Sequence, residues 1–195
     1  MCFHIARFGS AIFFGALLAS CSTTPLDAVI AQDSGAPSGG SAPDLGSCLV
    51  PVPGRFVLKS AVNGLCLGSG DPFVVFGTPG FTTRFDADCS VPAQQWDLSL
   101  VGSPGVFSLR NDNSADFMDV RMAGVQNGTP VIIYPPNGLD NQSFQILPRS
   151  ATTYELRPQH VPASCVFGTA AGAAISTCVA GDVSQAWQFE RTDCL

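Results

Sequence analysis

Few side chains in this sequence are arranged as catalysts. The chain has two histidines, and His160 closes the stretch 157–160 with no nucleophile motif beside it. A Ser-His-Asp triad would need that histidine as its base. Asp86 and Asp88 occupy alternate positions of an apparent loop, which favours solvated acids over a weak Ca²⁺ site. We therefore expect no enzymatic activity, no metal site and no cofactor.

Of the eight cysteines, Cys21 stands where a lipid could be attached. Residues 1–20 begin with His4 and Arg7 and continue in an apolar run too short to span a bilayer, which is typical of a signal peptide. The end of this run, Leu18-Ala19-Ser20-Cys21, resembles the lipobox of bacterial lipoproteins. The resemblance implies lipidation of the cysteine thiol. The alternative is an ordinary cleaved signal peptide with a cysteine nearby.

Residues 21–47 are expected to form a lipidated flexible linker. Residues 34–43 are rich in Gly, Ser, Ala and Pro, a composition that cannot pack a core. The lipobox resemblance implies a protein held on a membrane of the bacterial cell envelope by its N-terminal lipid. Ser22 after the cysteine favours the outer membrane.

The composition of the chain limits its partners and its fold class. The net charge is −6, and Lys59 is the only lysine. This charge argues against nucleic acid or anionic lipid bound through a basic face. The chain has 20 glycines and 15 prolines, and they divide the sequence into short apolar runs. Such a pattern favours many short strands over helices.

Three segments of roughly 50 residues, each long enough for about four short strands, begin and end alike. They begin with Phe56-Val57-Leu58-Lys59, Phe107-Ser108-Leu109-Arg110 and Tyr154-Glu155-Leu156-Arg157. They end with Gln94-Gln95-Trp96-Asp97-Leu98, Gln142-Ser143-Phe144-Gln145-Ile146 and Gln185-Ala186-Trp187-Gln188-Phe189. The alternation of apolar and polar residues in these segments is typical of strands.

The threefold Gln-x-aromatic ending resembles the (QxW)₃ signature of ricin B-type lectin domains. The resemblance covers residues 48–195 and implies an all-β fold, a β-trefoil with three pseudo-symmetric four-stranded lobes. In such a fold a six-stranded barrel is capped by three hairpins. Trp96, Phe144 and Trp187 would pack together in its core. The preceding glutamines would either brace a turn or reach a ligand.

Six cysteines remain once Cys2 and Cys21 are set aside, and an even number in an exported chain favours disulfides. Six cysteines allow 15 connectivities. The repeats, together with the trefoil resemblance, imply the pairs Cys48–Cys194, Cys66–Cys89 and Cys165–Cys178. The middle repeat has Phe117 and Pro136 where the others have their pair. Metal binding is the alternative use, and the absence of any C-x-x-C spacing disfavours it.

The family resemblance also implies where a sugar would bind. A competent lobe carries an acid shortly after the first cysteine position, an aromatic at the end of the third strand, and an Asn-Gln pair at the final motif. Lobe two keeps this set, and the implied ligand-binding residues are Asp119, Tyr134, Asn137, Asn141 and Gln142. Two departures are Ile132, where the family often has Gln, and Tyr134, where it often has Trp. Alternatively, all of these residues are framework remnants.

The other two repeats lack the acid, because Gly68 and Phe167 stand at its position. Lobe one also carries an insert, residues 73–76, which is either an interaction patch or, more in keeping with such runs, an extra strand or a segment folded over the core. We expect a monomeric, carbohydrate-binding surface lipoprotein whose partner is a glycan or polysaccharide, bound weakly at one site. The alternative is a structural or protein-interaction trefoil.

Overall fold

The computed structural model describes residues 52–192, which contain the three expected repeats. The signal peptide of residues 1–20, the linker of residues 21–47 with Cys21, and the Cys48–Cys194 pair lie outside the described residues. Within residues 52–192 the regular elements are twelve strands and four single turns of 3₁₀ helix. The expectation of an all-β chain is confirmed.

Each lobe contributes four strands in the same order. Lobe one contains β1 (Gly54–Ser60), β2 (Cys66–Val75), β3 (Thr78–Asp86) and β4 (Gln95–Leu100). Lobe two contains β5 (Val106–Asn111), β6 (Phe117–Val120), β7 (Pro130–Tyr134) and β8 (Phe144–Pro148). Lobe three contains β9 (Tyr154–Pro158), β10 (Ser164–Thr169), β11 (Gly172–Thr177) and β12 (Trp187–Arg191). The 3₁₀ turns are Pro92–Gln94, Arg121–Ala123, Asp140–Gln142 and Val183–Gln185.

The first and last strands of the three lobes close into a barrel. Antiparallel pairing runs from β1 to β4, β5, β8, β9 and β12, and β12 pairs with β1 again. The second and third strands of each lobe form hairpins, and β7 also pairs with β3 and with β11. A six-stranded barrel with three interconnected hairpins is a β-trefoil, so the predicted architecture is confirmed. The closed barrel leaves none of its six strands with an unpaired edge.

The aromatic residues of the three Gln-x-aromatic motifs meet in the core, as expected. Trp96, Phe144 and Trp187 are fully buried and belong to one hydrophobic cluster. The indole of Trp96 donates to the carbonyl of Leu67 at 2.7 Å, and that of Trp187 donates to the carbonyl of Val166 at 2.9 Å. These two bonds satisfy the one polar group that each buried indole carries. Phe144 fills the corresponding place in lobe two without an N–H group.

Two of the three predicted disulfides lie within the described residues, and both are confirmed. Cys66 pairs with Cys89 at a Cα–Cα distance of 5.5 Å, and Cys165 pairs with Cys178 at 4.9 Å. Each bridge joins the second strand of its lobe to the segment after the third strand. Lobe two has the same backbone pairing of its second and third strands, with Phe117 opposite Tyr134, but no cysteines to link them.

The acids and the histidine singled out as possible catalytic or metal groups have local roles. Asp86 and Asp88 form consecutive turns, since the N–H of Asp88 bonds to Asp86 Oδ1 at 3.1 Å and the N–H of Ser90 bonds to Asp88 Oδ1 at 3.0 Å. His160 Nε2 lies 3.2 Å from the carbonyl of Gly124. Within residues 52–192 no three His, Cys, Asp or Glu side chains gather as a metal site would require.

A search of the described residues for apolar helices of membrane-spanning length found none.

The insert of lobe one lengthens a hairpin. Residues 73–75 continue β2, and Val75 pairs with Thr78 across a two-residue turn. The expected extra strand is therefore a continuation of β2, and the insert does not fold over the core. The backbone of the insert is satisfied by pairing with β3, so the insert needs no further strand, and its tip extends beyond the core with Phe76 at 89% exposure.

Candidate functional site

The candidate site of lobe two begins with the short strand β6. Period-two alternation sends Met118 and Val120 into the hydrophobic core, where both are fully buried. Asp119 therefore points to the opposite face of the strand. It is nevertheless only 1% exposed, because the loop between β7 and β8 closes over it. A buried carboxylate is costly unless it is well bonded.

Three amide side chains of that loop satisfy one oxygen of the buried carboxylate. Asp119 Oδ2 accepts hydrogen bonds from Asn137 Nδ2 at 3.1 Å, Asn141 Nδ2 at 2.9 Å and Gln142 Nε2 at 2.9 Å. The turn Asp140–Gln142 brings the last two amides to the acid. Four of the five residues predicted from sequence are thus joined through one atom.

The fifth predicted residue, Tyr134, ends β7 and reaches the network through its backbone. Gln142 Nε2 lies 3.4 Å from the carbonyl of Tyr134 and 2.9 Å from that of Pro135, and Gln142 Oε1 accepts from the N–H of Asn137 at 2.9 Å. Every polar atom of the Gln142 side chain is therefore engaged. Of the two roles left open for this glutamine, the contacts show the bracing of a turn.

The side-chain amides of Asn137 and Asn141 also donate their hydrogens to acceptors within the protein. Asn141 Nδ2 bonds to the carbonyl of Val120 at 3.2 Å besides Asp119, and Asn137 Nδ2 bonds to Asn141 Oδ1 at 3.4 Å besides Asp119. An amide nitrogen carries two hydrogens, so neither has one left for a ligand. What this end of the site can offer is acceptor oxygen.

The remaining acceptor with no partner is the second oxygen of the same carboxylate. Asp119 Oδ1 is buried and has no hydrogen-bond donor within residues 52–192. Burial raises the pKa of Asp119 to about 6, against the lowering effect of the Gln142, Asn141 and Asn137 hydrogen bonds. Desolvation of the charged form is the dominant cause. A pKa of about 6 leaves the group mostly charged at pH 7, with Oδ1 unpaired within residues 52–192.

Asp119 lines a cavity of about 370 Å³ that is mostly apolar. The described residues around it are Val75, Phe76, Asp119, Arg121, Met122, Ala123, Ile132, Tyr134, Asn137, Leu139 and Asn141. Its size lies within the range of small-molecule sites. Asp119, Tyr134, Asn137 and Asn141 therefore share one cavity, while Gln142 supports it from behind.

Several lining residues were not expected from the sequence. Arg121, Met122 and Ala123 follow β6 in a 3₁₀ turn, and Met122 and Ala123 have positive φ angles of 55° and 49°. Val75 and Phe76 come from the hairpin of lobe one. The sequence gave one indication of these residues, the apolar insert of lobe one. Comparison of the repeats could not show that this insert lies against lobe two.

The other two lobes have no acid at the position of Asp119. In lobe one a Cβ at Gly68 would collide with the carbonyl of Ala93 and with the side chain of Gln94. Gln94 is fully buried, and its side chain occupies the space that corresponds to the position of the acid in lobe two. In lobe three Phe167 stands at this position, and Gln185 braces its turn by donating to Thr177 O at 2.8 Å.

The fold and this site define a β-trefoil whose second lobe holds a buried, half-bonded carboxylate at the end of an apolar cavity. Residues 92–177 match the family model described as Ricin-type beta-trefoil lectin domain-like. The matched range includes all of lobe two. The resemblance to ricin B-type lectin domains is thereby confirmed.

Solved structures with the same fold include natural lectins and a designed protein. The designed threefold-symmetric protein ThreeFoil is 21% identical with a TM-score of 0.60, over 69% of this chain and 96% of that chain. The Rhizoctonia solani agglutinin is 15% identical with a TM-score of 0.61, over 73% of this chain and 98% of that chain. These likenesses show the β-trefoil fold.

A third similar structure is the Polyporus squamosus lectin bound to the epitope Neu5Acα2-6Galβ1-4GlcNAc. It is 21% identical with a TM-score of 0.61, over 71% of this chain. The present chain spans only 49% of that lectin. No curated protein matches the sequence.

Proposed function

We propose that this chain is a carbohydrate-binding module that holds a sugar in the cavity of lobe two. The observation that carries the proposal is the Asp119 carboxylate, with one oxygen held by three amides and the other buried without a donor. A ligand that donates a hydrogen bond to this carboxylate would bind favourably, because hydrogen bonds to a charged acceptor are stronger than those between neutral groups.

A sugar supplies the matching chemistry on both sides. Vicinal hydroxyls donate to a carboxylate, and the C–H face of a pyranose ring packs on apolar side chains such as Tyr134 and Ile132, which line the same cavity. The lectin-like family match over lobe two supports this assignment. The glycan held by the Polyporus squamosus lectin contains a β-galactoside, which makes galactosides the first probes to try.

We propose a binding role without catalysis. Glycoside hydrolysis ordinarily uses two carboxyl groups across the scissile bond. Among the described residues that line the cavity, Asp119 is the one carboxylate. His160, the candidate base of the sequence, lies against the carbonyl of Gly124. A ligand would therefore be held at this site and left unchanged.

The setting proposed for the module is the bacterial cell envelope, with the chain anchored through a lipid on Cys21. The support is the lipobox-like sequence ending at that cysteine. We expect a single site of this kind to bind weakly, with a Kd of about 1 mM, or about −4 kcal/mol. Many monomeric copies anchored on one surface would convert this weak affinity into useful avidity for a polysaccharide.

The test is an NMR titration of the full chain with methyl glycosides of galactose, N-acetylgalactosamine, glucose and mannose. We expect saturable shifts with at least one of them, lost in Asp119→Asn. Asn at 119 can keep the three amide bonds on its carbonyl oxygen, so the variant should fold. The matched control is Asp71→Asn, which removes one negative charge from an exposed residue outside the cavity lining. Equal binding by Asp119→Asn and wild type would exclude this site.

A protein-interaction trefoil is the second candidate, and one observation favours it. Phe76, Met122 and Leu139 are large apolar side chains exposed at the rim of the cavity, and exposed apolar clusters mark interaction sites. Absence of binding to every glycoside tested, with a protein partner lost on Phe76→Asn, would support this candidate over the first.

A further inference from the structure

The cavity of lobe two has a wall that lobe two does not build. The hairpin β2–β3 is extended by the insert of lobe one, and Val75 and Phe76 at its end line the cavity that contains Asp119. In lobe two the corresponding strands β6 and β7 have only four and five residues. The extra length of the lobe-one hairpin is what allows it to reach the neighbouring site.

Three contacts fix the hairpin against lobe two. Strand β3 pairs with β7, with Phe81 opposite Ile133. Gly80 brings the hairpin so close that a Cβ there would lie 3.0 Å from the ring of Tyr134 and 2.9 Å from the carbonyl of Ile133. Arg121, at the start of the turn after β6, lies over the ring of Phe73 at 5.8 Å. The wall is therefore held in place on the site rather than projecting freely.

The rim of the cavity has exposed apolar side chains and a strained backbone, and neither contributes to packing within the fold. Phe76 is 89% and Met122 is 69% exposed. Phe76 has φ 50° and Gly77 has φ 80°, which is the backbone of a type I′ turn, where Asn-Gly is preferred over a bulky first residue. Within residues 52–192 four non-glycine residues have positive φ, and three of them, Phe76, Met122 and Ala123, line this cavity. Strain of this kind collects at functional sites.

The cavity is thus divided by chemistry. At one end are the acceptor oxygens of Asp119 and Asn141, and at the other are the exposed apolar side chains of Phe76, Met122 and Leu139. A bare sugar would complete the polar end and leave the apolar rim in water. A ligand that also covers the rim gains the transfer free energy of its apolar surface.

We propose that the lobe-two site selects glycosides whose sugar carries an apolar aglycone, with the hydroxyls on Asp119 and the aglycone against the Phe76 hairpin. This inference rests on the proposed sugar-binding function and adds the class of ligand. The hairpin of lobe one is then a specificity element for a site in lobe two. Phe76 contacts the aglycone and has no part in holding the hydroxyls.

The test compares hexyl β-galactoside with methyl β-galactoside by NMR titration of the full chain, below the micelle concentration of the hexyl compound. We expect the hexyl glycoside to bind about tenfold tighter, since about two CH₂ groups would be buried. In Phe76→Asn this ratio should fall to about threefold or less. The variant gives the turn its preferred Asn-Gly sequence, so it should fold at least as well as wild type.

The matched control is Val62→Asn, which removes an exposed apolar side chain from a turn of lobe one outside the cavity lining. It should keep the tenfold ratio. Equal affinities for the two galactosides in wild type would overturn the inference while leaving the proposed function intact. If neither galactoside binds but another methyl glycoside does, the same comparison is made with the hexyl and methyl forms of that sugar.

Three further results would count against the inference. Hexyl glycoside binding that persists in Asp119→Asn would show that the apolar rim acts without the carboxylate. Concentration-dependent dimerisation that is lost in Phe76→Asn would show that the rim covers a second copy of the chain. Failure of every methyl and hexyl glycoside to bind would remove the proposed function together with the inference.

Discussion

The Nε2 atom of Gln142 lies 2.9 Å from Oδ2 of Asp119, and the same nitrogen donates to the carbonyl of Pro135 at 2.9 Å. The glutamine of the repeat motif therefore links the buried acid to the turn that closes over it. In lobe three Gln185 makes the comparable turn contacts, donating to Thr177 O and accepting from the N–H of Val179 at 2.8 Å each, and its Nε2 also donates to Ser176 Oγ instead of a carboxylate. The structural role is shared, and the link to a carboxylate belongs to lobe two.

These contacts predict that the same substitution at Gln142 and at Gln185 lowers stability in both cases but weakens ligand binding in only one. Gln142→Ala and Gln185→Ala each remove the side-chain partner of a part-buried backbone N–H and carbonyl, so each should lower the free energy of unfolding by about 1 kcal/mol. Only Gln142→Ala should also weaken glycoside binding, by about tenfold, because Asp119 loses one of its three positioning bonds. Urea unfolding and NMR titration of both variants measure the two effects. Equal loss of binding in the two variants would mean that the effect acts through general stability.

The raised pKa of Asp119 predicts that binding depends on pH. Burial holds this pKa at about 6, and a hydroxyl donor prefers the ionised carboxylate. Affinity should therefore be constant above pH 7, about twofold weaker at pH 6 and about tenfold weaker at pH 5. Titration of wild type with the best methyl glycoside across this range gives the profile. A flat profile from pH 5 to 8 is incompatible with recognition through this carboxylate.

The same pKa predicts the opposite trend for stability. The folded value of about 6 lies above the model value of 3.8, so the native state binds more protons than the unfolded state between these pH values. The contribution of Asp119 to stability is fully present below pH 3.8 and is lost as pH rises through 6, a change of about 3 kcal/mol. Asp119→Asn should therefore be more stable than wild type at pH 7 and lose this advantage near pH 4. Urea unfolding of both proteins at the two pH values tests it, and a pH-independent difference would contradict it.

The fold could be predicted because the residues that determine a lobe recur three times, and their threefold ending carries the resemblance that implies a β-trefoil. Phe56, Phe107 and Tyr154 lie in the first strands of their lobes, and the three Gln-x-aromatic endings place their rings in one core. The same alignment predicted the Cys66–Cys89 and Cys165–Cys178 bridges. Asp119 and its amides could be named because the resemblance to ricin B-type lectin domains implies where a lobe carries its acid and its Asn-Gln pair.

Contacts between lobes could not be predicted in this way. The approach of the lobe-one hairpin to Tyr134 depends on β3–β7 pairing and on the absence of a side chain at Gly80, which no comparison of repeats contains. The left-handed backbone of Met122 and Ala123 is equally hidden, because neither residue type favours it. The apolar half of the cavity therefore became visible only in the structure.

The absence of a site from lobe one provides the last prediction. Comparison of the repeats shows that lobe one lacks the acid, since Gly68 stands where lobe two has Asp119. The structure shows that the space itself is gone, because a Cβ at Gly68 meets the backbone carbonyl of Ala93 as well as the buried amide of Gln94. Backbone cannot rotate away as a flexible side chain can.

Gly68→Asp should therefore destabilise the protein without creating a second site. We expect a loss of about 1–3 kcal/mol from overpacking, with more from the unpaired buried charge, and a binding stoichiometry that stays at one glycoside per chain. Val62→Asp is the control, since it adds the same charge at an exposed turn of the same lobe and should change stability by less than about 0.5 kcal/mol. Urea unfolding measures the change in stability, and the end point of the glycoside titration measures the stoichiometry. A stoichiometry of two in Gly68→Asp would show that the acid alone distinguishes the lobes, because Gln94 and Ala93 would then have to move aside for it.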